Sequence, residues 1–179
     1  MSVPVHKRAA LPNDLQVLRL MDEFLCLCNQ LLASRQIRKP LKIEPQTPQD
    51  INRINMLLAE RARVYENYRD VKHLALFAYR KIAYANYIPD TTVCNVKQRY
   101  WEQRKALEAI IAAKTLLNSS ANCYHLPARK YKQFVDLFEK LIPAIRGWMV
   151  YEAKRRTKLE AQGKLGDDTD MMFLEDVDN

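Results

Sequence analysis

IAYANYIPDTTVCNV, residues 82–96, joins two long helical patterns through one short connection. Pro89 lacks a backbone donor and ends the first pattern, and Asp90 or Thr91 is suited to cap the second. Helices joined by a connection this short pack side by side in opposite directions. The stretch therefore predicts a helical hairpin, and the flanking sequence predicts how that hairpin is completed.

The helix that ends before Pro89 is predicted to be unusually long. Its start lies at TPQD, residues 47–50, where a threonine cap precedes a proline suited to the first helical position. Apolar residues recur at three- and four-residue spacing from Ile51 to Ala85. The only interruption that the sequence suggests is a break near residues 68–70.

The first helix of the chain is predicted from Asn13 or Asp14 to about Arg35. Its apolar residues cover more than half of its circumference, although a surface helix needs only one apolar face. Its own bundle is expected to bury one side, and a second subunit is the candidate for the other. A connector with three prolines, residues 37–50, separates this helix from the second.

The remaining helices are predicted over residues 93–117 and 127–162, with a polar turn between them at 118–127. The apolar face of the third helix is assigned to Val96, Tyr100, Leu107, Ile111 and Lys114. That of the fourth is assigned to Tyr131, Phe134, Phe138, Leu141, Ile145 and Trp148. Gly163 and Gly166 are expected to end the last helix.

No stretch alternates with the two-residue period of a strand. The sequence therefore predicts an all-α protein built as a four-helix bundle with a long second helix, spanning residues 14–163. An N-terminal arm, residues 1–13, precedes the bundle. A flexible acidic C-terminal tail, residues 164–179, follows it.

Charge is unevenly distributed along the chain. The formal net charge is +8 at pH 7, but residues 167–179 hold six of the 21 Asp and Glu and no Lys or Arg. The remaining body carries 29 Lys and Arg against 15 Asp and Glu, a net charge of +14. A body this basic attracts nucleic acid, an acidic protein surface or a membrane face. Polar residues interrupt the apolar-rich segment 15–32 too often for a membrane span.

The sequence contains few of the residue patterns that enzymes and metal sites require. Phosphate-binding, nucleophile-elbow and zinc-protease motifs are absent, and the three histidines share no helix face. Only Asp22 and Glu139 lie near the predicted apolar stripes, so no buried carboxylate pair is expected. Cys26 and Cys28 face different ways on a helix, and without a signal peptide they are expected to be reduced thiols of a cytoplasmic protein. We predict a non-enzymatic protein with no metal and no cofactor.

Lys and Arg recur beside aromatic residues, as in YRKIAY 79–84, KQRYWEQRK 97–105 and ARKYKQF 128–134. Cations bind phosphates, and aromatic rings stack on exposed bases. Most of these rings fall on predicted core stripes, where packing is the favoured interpretation, whereas the cations face solvent or a partner. The predicted nucleic-acid-binding or partner-binding residues are Arg80, Lys81, Arg104, Lys105, Arg129, Lys130, Lys132, Arg146, Lys154, Arg155, Arg156 and Lys158.

The second half of the chain resembles a known bacterial family. IAYANYIPD 82–90, AAKTLLNSS 112–120 and ARKYKQFVDLFEKLIPAIRGWM 128–149 follow one another in the order and at the spacing of that family. It is the four-helix-bundle family that includes the accessory variability determinant of diversity-generating retroelements. The matching positions are Ala85-Asn86-Tyr87, Tyr131, Gly147 and Trp148, and the resemblance covers roughly residues 74–156.

The resemblance implies a non-enzymatic accessory protein that forms a ring-like homo-oligomer, usually a pentamer. Such a protein binds a reverse transcriptase and its template RNA through basic surfaces. Gly147 and Trp148, together with Phe24 and Leu31 of the first helix, are the candidate packing or oligomer residues. Two other interpretations stay open: a small helical RNA- or single-stranded-DNA-binding subunit of a defence or phage recombination complex, and a protein–protein adaptor.

Overall fold

The computed structural model describes residues 12–33, 47–124 and 128–166, which are almost entirely helical and contain no strand. Within these residues four helices follow one another: α1 Pro12–Leu32, α2 Pro48–Tyr87, α3 Val93–Tyr124 and α4 Ala128–Ala161. The prediction of an all-α four-helix bundle with a long second helix is therefore confirmed. The N-terminal arm up to residue 11 and the acidic tail from residue 167 lie outside the described residues.

α2 is one continuous helix of 40 residues, about 60 Å long at 1.5 Å per residue. A capping box starts it. The Thr47 hydroxyl accepts a hydrogen bond from the Asp50 amide at 3.2 Å, and the Asp50 carboxylate accepts one from the Thr47 amide at 3.0 Å. Pro48 takes the first helical position, as predicted. The helix continues through residues 68–70, so the suggested break does not occur there.

Residues 88–92 turn the chain from α2 into α3. The Ile88 amide still donates to the Tyr84 carbonyl at 3.2 Å. The Thr92 hydroxyl accepts from the Asn95 amide at 3.2 Å and caps α3, one residue after the caps that the sequence suggested. Each helix packs against the next one in the chain, and α4 packs against α1, so the four helices surround one main core.

The centre of that core is aromatic. Phe24 of α1 meets Phe134 and Phe138 of α4 edge-on, with ring centroids 6.2 and 5.2 Å apart, an arrangement that aromatic pairs favour. The stripe predicted for α4 is buried except for half-buried Tyr131, whose hydroxyl donates to the Asn118 side chain at 3.0 Å. The apolar pattern of α4 was therefore sufficient to identify its inward face.

The apolar face of α3 differs from the predicted one. Its buried residues follow a stripe of Arg99, Gln103, Ala106, Ile110, Ala113 and Leu117. Tyr100 and Ile111, which the apolar spacing assigned to the core, are 37% and 41% exposed. The prediction was wrong because the buried stripe contains two polar side chains, Arg99 and Gln103. The stripe therefore lacks the continuous apolar spacing from which a buried helix face is predicted.

α3 is also longer than predicted. The sequence NSSANCY remains helical to Tyr124, and the rest of the polar turn predicted at 118–127 lies outside the described residues. Ser120 is completely buried on the same side of α3 as Ala113 and Leu117. Packing against the bundle therefore outweighs the weak helix propensity of Ser and Asn.

Gly163 and Gly166 end α4, as predicted. Their φ angles of 67° and 77° lie in the left-handed region that favours glycine. The chain then folds back onto the start of α3, where the Val93 amide donates to the Lys164 carbonyl at 2.9 Å. A Cβ at Gly166 would lie 2.9 Å from the Cβ of Thr92. Glycine thus allows the last described residues to pass close to the first turn of α3.

Candidate nucleic-acid interface

The basic residues of α4 fall into two clusters at opposite ends of the helix. Arg129, Lys130 and Lys132 lie at its start, and residues 154–158 lie near its end. With a helical rise of 1.5 Å per residue, Lys132 is about 33 Å from the second cluster along the axis. The residues predicted from the sequence therefore do not form a single site.

The cluster at residues 154–158 lies at the end of the bundle that also holds the α2–α3 loop. Arg155 Nε is 3.4 Å from the carbonyl oxygen of Asp90 and 3.8 Å from its Oδ2 atom. The backbone hydrogen bond between Val93 and Lys164 brings the residues after α4 to the same place. The end of α2, the start of α3 and the end of α4 therefore meet here.

Several predicted cations already have a carboxylate partner. The pairs are Lys81 with Glu102 at 2.9 Å, Arg104 with Glu108 at 3.0 Å, and Arg156 with Glu160 at 2.7 Å. A cation in such a pair must give up or share its partner to hold a phosphate, which reduces its contribution to binding. These three residues, like Arg155, are therefore weaker candidates than the sequence suggested.

Four lysines at this end form no ion pair within the described residues, and we call them the basic end: Lys97, Lys154, Lys158 and Lys164. Lys154, Lys158 and Lys164 are exposed, and Lys97 is partly exposed. Three carboxylates of the same region are each paired with an arginine: Asp90, Glu152 and Glu160. The unpaired lysines give this end an excess of positive charge that is available to an anion.

Lys97 and Lys164 were missing from the set predicted from the sequence. Lys97 stands in the quoted segment 97–105, of which only Arg104 and Lys105 were assigned to the interface. Lys164 lies between two glycines beyond the predicted helix. Only the return of the chain onto α3 brings it to the basic end.

Aromatic side chains are exposed at the same end of the bundle. Tyr84 is 45% exposed, Tyr87 86%, Tyr100 37% and Trp101 51%. Packing therefore does not explain Tyr84, Tyr100 and Trp101, which lie in the quoted segments. Tyr87 lies outside those segments. The Arg104 guanidinium lies 5.2 Å from the Trp101 ring centroid, in the range of a cation–π contact. Unpaired cations beside exposed rings are typical of surfaces that bind single-stranded nucleic acid.

The other predicted cations are scattered over the surface. Arg80 and Arg146 are exposed on α2 and α4, and Lys105 is partly exposed on α3. Arg129 and Lys132 are exposed at the far end of α4, where Lys130 is partly exposed. The far cluster is separated from the four exposed rings by most of the length of α4, so it lacks the combination found at the basic end.

A buried ion pair fixes the three helix ends that build the basic end. Arg99 Nε and Nη2 both lie 2.7 Å from Glu152 Oε1, and the two side chains are completely buried. Trp148 Nε1 donates to the same Oε1 atom at 3.0 Å. Arg99 Nη1 donates to the Ile88 carbonyl at 2.6 Å and so satisfies the end of α2. One side chain of α3 thus links the ends of α2 and α4.

The sequence did not predict this buried carboxylate. Asp22 and Glu139, the carboxylates nearest the predicted stripes, are both exposed. Glu152 continues the stripe of Leu141, Ile145 and Trp148 at the next helical position. That spacing was the available signal. A glutamate near the end of a helix is nevertheless expected to be exposed to solvent, unless an arginine on another helix is known to face it.

The candidate packing residues divide into two kinds. Phe24, Leu31 and Trp148 are buried inside the chain's own bundle. Gly147 is exposed, and a Cβ built on it would meet no described atom within 4 Å. The space beside Gly147 is therefore not used by its own bundle.

Cys26, Cys28 and Cys94 are free thiols, and Cys26 faces solvent while Cys28 is buried, as their spacing predicted. Burial raises the pKa of Cys28 from 9.0 to about 12, and the charge of Lys72 opposes part of that rise. Burial also raises the pKa of Tyr68. In the part of the chain that the structure describes, no three acidic, histidine or cysteine side chains could share a metal ion. The helices of the described residues include no candidate membrane-spanning segment.

Comparison of the chain with protein-family models, with curated proteins and with solved structures gave no match.

Proposed function

We propose that this protein is a non-enzymatic accessory factor that binds nucleic acid through its basic end and acts together with a reverse transcriptase. The observation that carries the proposal is the exposure of Tyr84, Tyr87 and Trp101 at the end of the bundle whose lysines form no ion pair with any described residue. The lysines supply phosphate contacts, and the rings supply faces on which unpaired bases stack. Single-stranded RNA or cDNA provides both kinds of group.

The link to a reverse transcriptase rests on the resemblance to retroelement accessory proteins. Two of the matching segments lie close to the basic end. Ala85-Asn86-Tyr87 closes α2, and Tyr87 is the most exposed aromatic residue of the region. Trp148 is hydrogen-bonded to Glu152, whose partner Arg99 holds the end of α2. These residues would position the nucleic-acid surface in this protein.

We also propose that the protein assembles into a homo-oligomer through the outer side of α4. Gly147 and Val150 are exposed there, and Val150 is 55% exposed. A glycine in an exposed helix costs about 1 kcal/mol relative to alanine. Close approach of a neighbouring subunit would account for that cost, because the chain's own bundle leaves the site open.

A general single-strand-binding subunit is the second candidate, because exposed rings beside lysines bind single strands without selecting a sequence. A purely protein-binding adaptor is the third. The three differ in what they bind. We expect fluorescence-labelled single-stranded RNA to bind with an affinity that falls as salt rises, and a reverse transcriptase to be retained on the immobilised protein.

RNA binding without retention of the polymerase would favour the general single-strand-binding subunit. Retention of an acidic protein without RNA binding would favour the adaptor. Absence of salt-dependent RNA binding would refute the nucleic-acid function in both of its forms.

A further inference from the structure

A groove of about 680 Å³ runs between the start of α3 and the end of α4. Lys97, Tyr100 and Trp101 line it from α3, and Arg156 and Glu160 line it from α4. Trp101 is half exposed, so the groove presents an aromatic ring to solvent. Apolar concave surfaces of this kind favour an occupant that brings apolar side chains.

The charged residues that line the groove indicate the sign of the charge that an occupant should carry. Glu102, Glu152 and Glu160 all line the groove, and each is paired with a Lys or Arg. Lys97 is the groove-lining charge without an ion pair among the described residues. An occupant with acidic groups beside apolar ones therefore complements the groove.

The last described residue of the chain lies against the first turn of α3, just before the residues that line this groove. Gly166 lies against Thr92 and Cys94. Trp101 stands seven residues after Cys94, which places the two on the same side of α3, about 10 Å apart along its axis. Four residues of extended chain, 167–170, span about 13 Å. Residue 171 can therefore reach Trp101.

The sequence that follows has the required composition. Residues 171–174 read MMFL, and acidic residues flank them in DDTD 167–170 and EDVD 175–178. Met adapts to irregular apolar surfaces and makes favourable contacts with aromatic rings. An acidic segment with an apolar centre thus begins within reach of a groove that has an aromatic wall and one lysine, Lys97, without an ion pair among the described residues.

We propose that residues 171–174 dock in the α3–α4 groove of their own chain and cover Trp101, with the flanking carboxylates beside Lys97. The docked tail then contacts Trp101 and Lys97, which both belong to the proposed nucleic-acid surface. Docking makes the tail an intramolecular competitor of nucleic acid. The contact itself does not rest on the proposed function, because it is defined within one chain and tested without nucleic acid.

Fluorescence quenching by acrylamide tests the contact in the full-length chain. The chain has two tryptophans, and Trp148 is only 1% exposed, so Trp101 supplies nearly all of the quenchable emission. In the variant Phe173→Ser/Leu174→Ser we expect the quenching constant to rise about two-fold, because the exposed half of Trp101 is no longer covered by apolar side chains. The control Val177→Ser, outside the apolar centre, should leave it unchanged. In a Trp101→Phe background the tail substitutions should have no effect.

Equal quenching of wild type and the double variant would overturn the proposal. So would a rise of the same size in Trp101→Phe, since the emission that changed would then belong to Trp148. If the protection of Trp101 from acrylamide disappears on dilution, the tail that covers it belongs to a second copy of the chain. That result would also overturn the proposed intramolecular contact. Circular dichroism of each variant verifies that the helices are retained.

Discussion

Arg99 and Glu152, 53 residues apart in the chain, form an ion pair at 2.7 Å with both side chains completely buried. Two buried charges are costly to remove from water, and the pair is stable only because further hydrogen bonds satisfy it. Trp148 and the Ile88 carbonyl supply those bonds. The pair therefore fixes how α2, α3 and α4 meet, and with them the surface that we propose for nucleic acid.

Breaking this pair from one side should destabilise the fold strongly. We expect Arg99→Met or Glu152→Gln to lower the free energy of unfolding by about 3–5 kcal/mol, because either change leaves buried polar groups without their partner. The double variant Arg99→Met/Glu152→Leu should recover part of that stability, because it leaves no buried charge, but the Ile88 carbonyl and Trp148 Nε1 still lose their partners. Urea denaturation of the wild type and of the three variants gives their free energies of unfolding.

The exposed pair Arg104–Glu108 provides the matched control, since both side chains are more than half exposed. Replacing both residues with alanine should change stability by about 0.5 kcal/mol or less. If the single substitutions at the buried pair cost no more than this control, the ion pair does not organise the bundle.

The thiol of Cys28 should make stability fall at alkaline pH. Its pKa is about 12 in the folded protein against 9.0 in the unfolded chain, so only the unfolded state releases the proton between these values. This contribution is fully present below pH 9 and is lost progressively as pH rises towards 12.

Cys28→Ala lacks that proton and should show a shallower decline above pH 9 when the two proteins are compared by denaturation at each pH. Groups shared by both proteins cancel in the comparison. Parallel curves for wild type and Cys28→Ala would show that the thiol does not contribute.

The sequence predicted the fold well where burial and apolar spacing coincide. Phe134, Phe138 and Trp148 recur at helical intervals and are buried as a result. Prediction failed on α3 because Arg99 and Gln103 occupy core positions, and their burial depends on partners from other helices. Such a partner cannot be inferred from the spacing within one segment.

The candidate interface was predicted in part. The sequence identified Lys154 and Lys158 by their density, but it could not separate them from Arg155 and Arg156, whose carboxylate partners become visible only in three dimensions. It also could not place Lys164, which reaches the basic end because Gly163 and Gly166 reverse the chain. Tertiary pairing and a reversal after a helix are both invisible to local patterns.

Exposed rings at the basic end should contribute to binding by stacking. We expect Tyr87→Ala to weaken binding of single-stranded RNA about ten-fold, since removal of one stacking ring costs about 1–3 kcal/mol. The matched control is Tyr65→Ala on the same helix, because Tyr65 is 40% exposed and lies about 33 Å from Tyr87 along the axis. Fluorescence anisotropy measures both affinities, and an equal weakening in the two variants would argue against a localised stacking surface.

The space beside Gly147 should be required for self-association. We expect Gly147→Gln to lower the mass of the assembly in light scattering, because the added side chain enters the proposed contact between subunits. Ala112→Gln adds similar bulk at another exposed helical position, on α3, and should leave the mass unchanged. A Gly147→Gln protein that assembles like wild type would place the contact elsewhere.

The most direct measurement compares two triple variants that each remove three positive charges. Lys97→Ala/Lys154→Ala/Lys158→Ala changes the basic end, and Arg129→Ala/Lys130→Ala/Lys132→Ala changes the far end of α4. Anisotropy titrations with single-stranded RNA at several salt concentrations give the affinity and its salt dependence. We predict that the first variant binds much more weakly and that its slope of log K against log salt is shallower by about 0.7 for each phosphate that the removed lysines neutralise in wild type. The second variant should retain the wild-type slope. An equal weakening in the two variants, or a wild-type affinity that does not depend on salt, would contradict a nucleic-acid interface at the basic end.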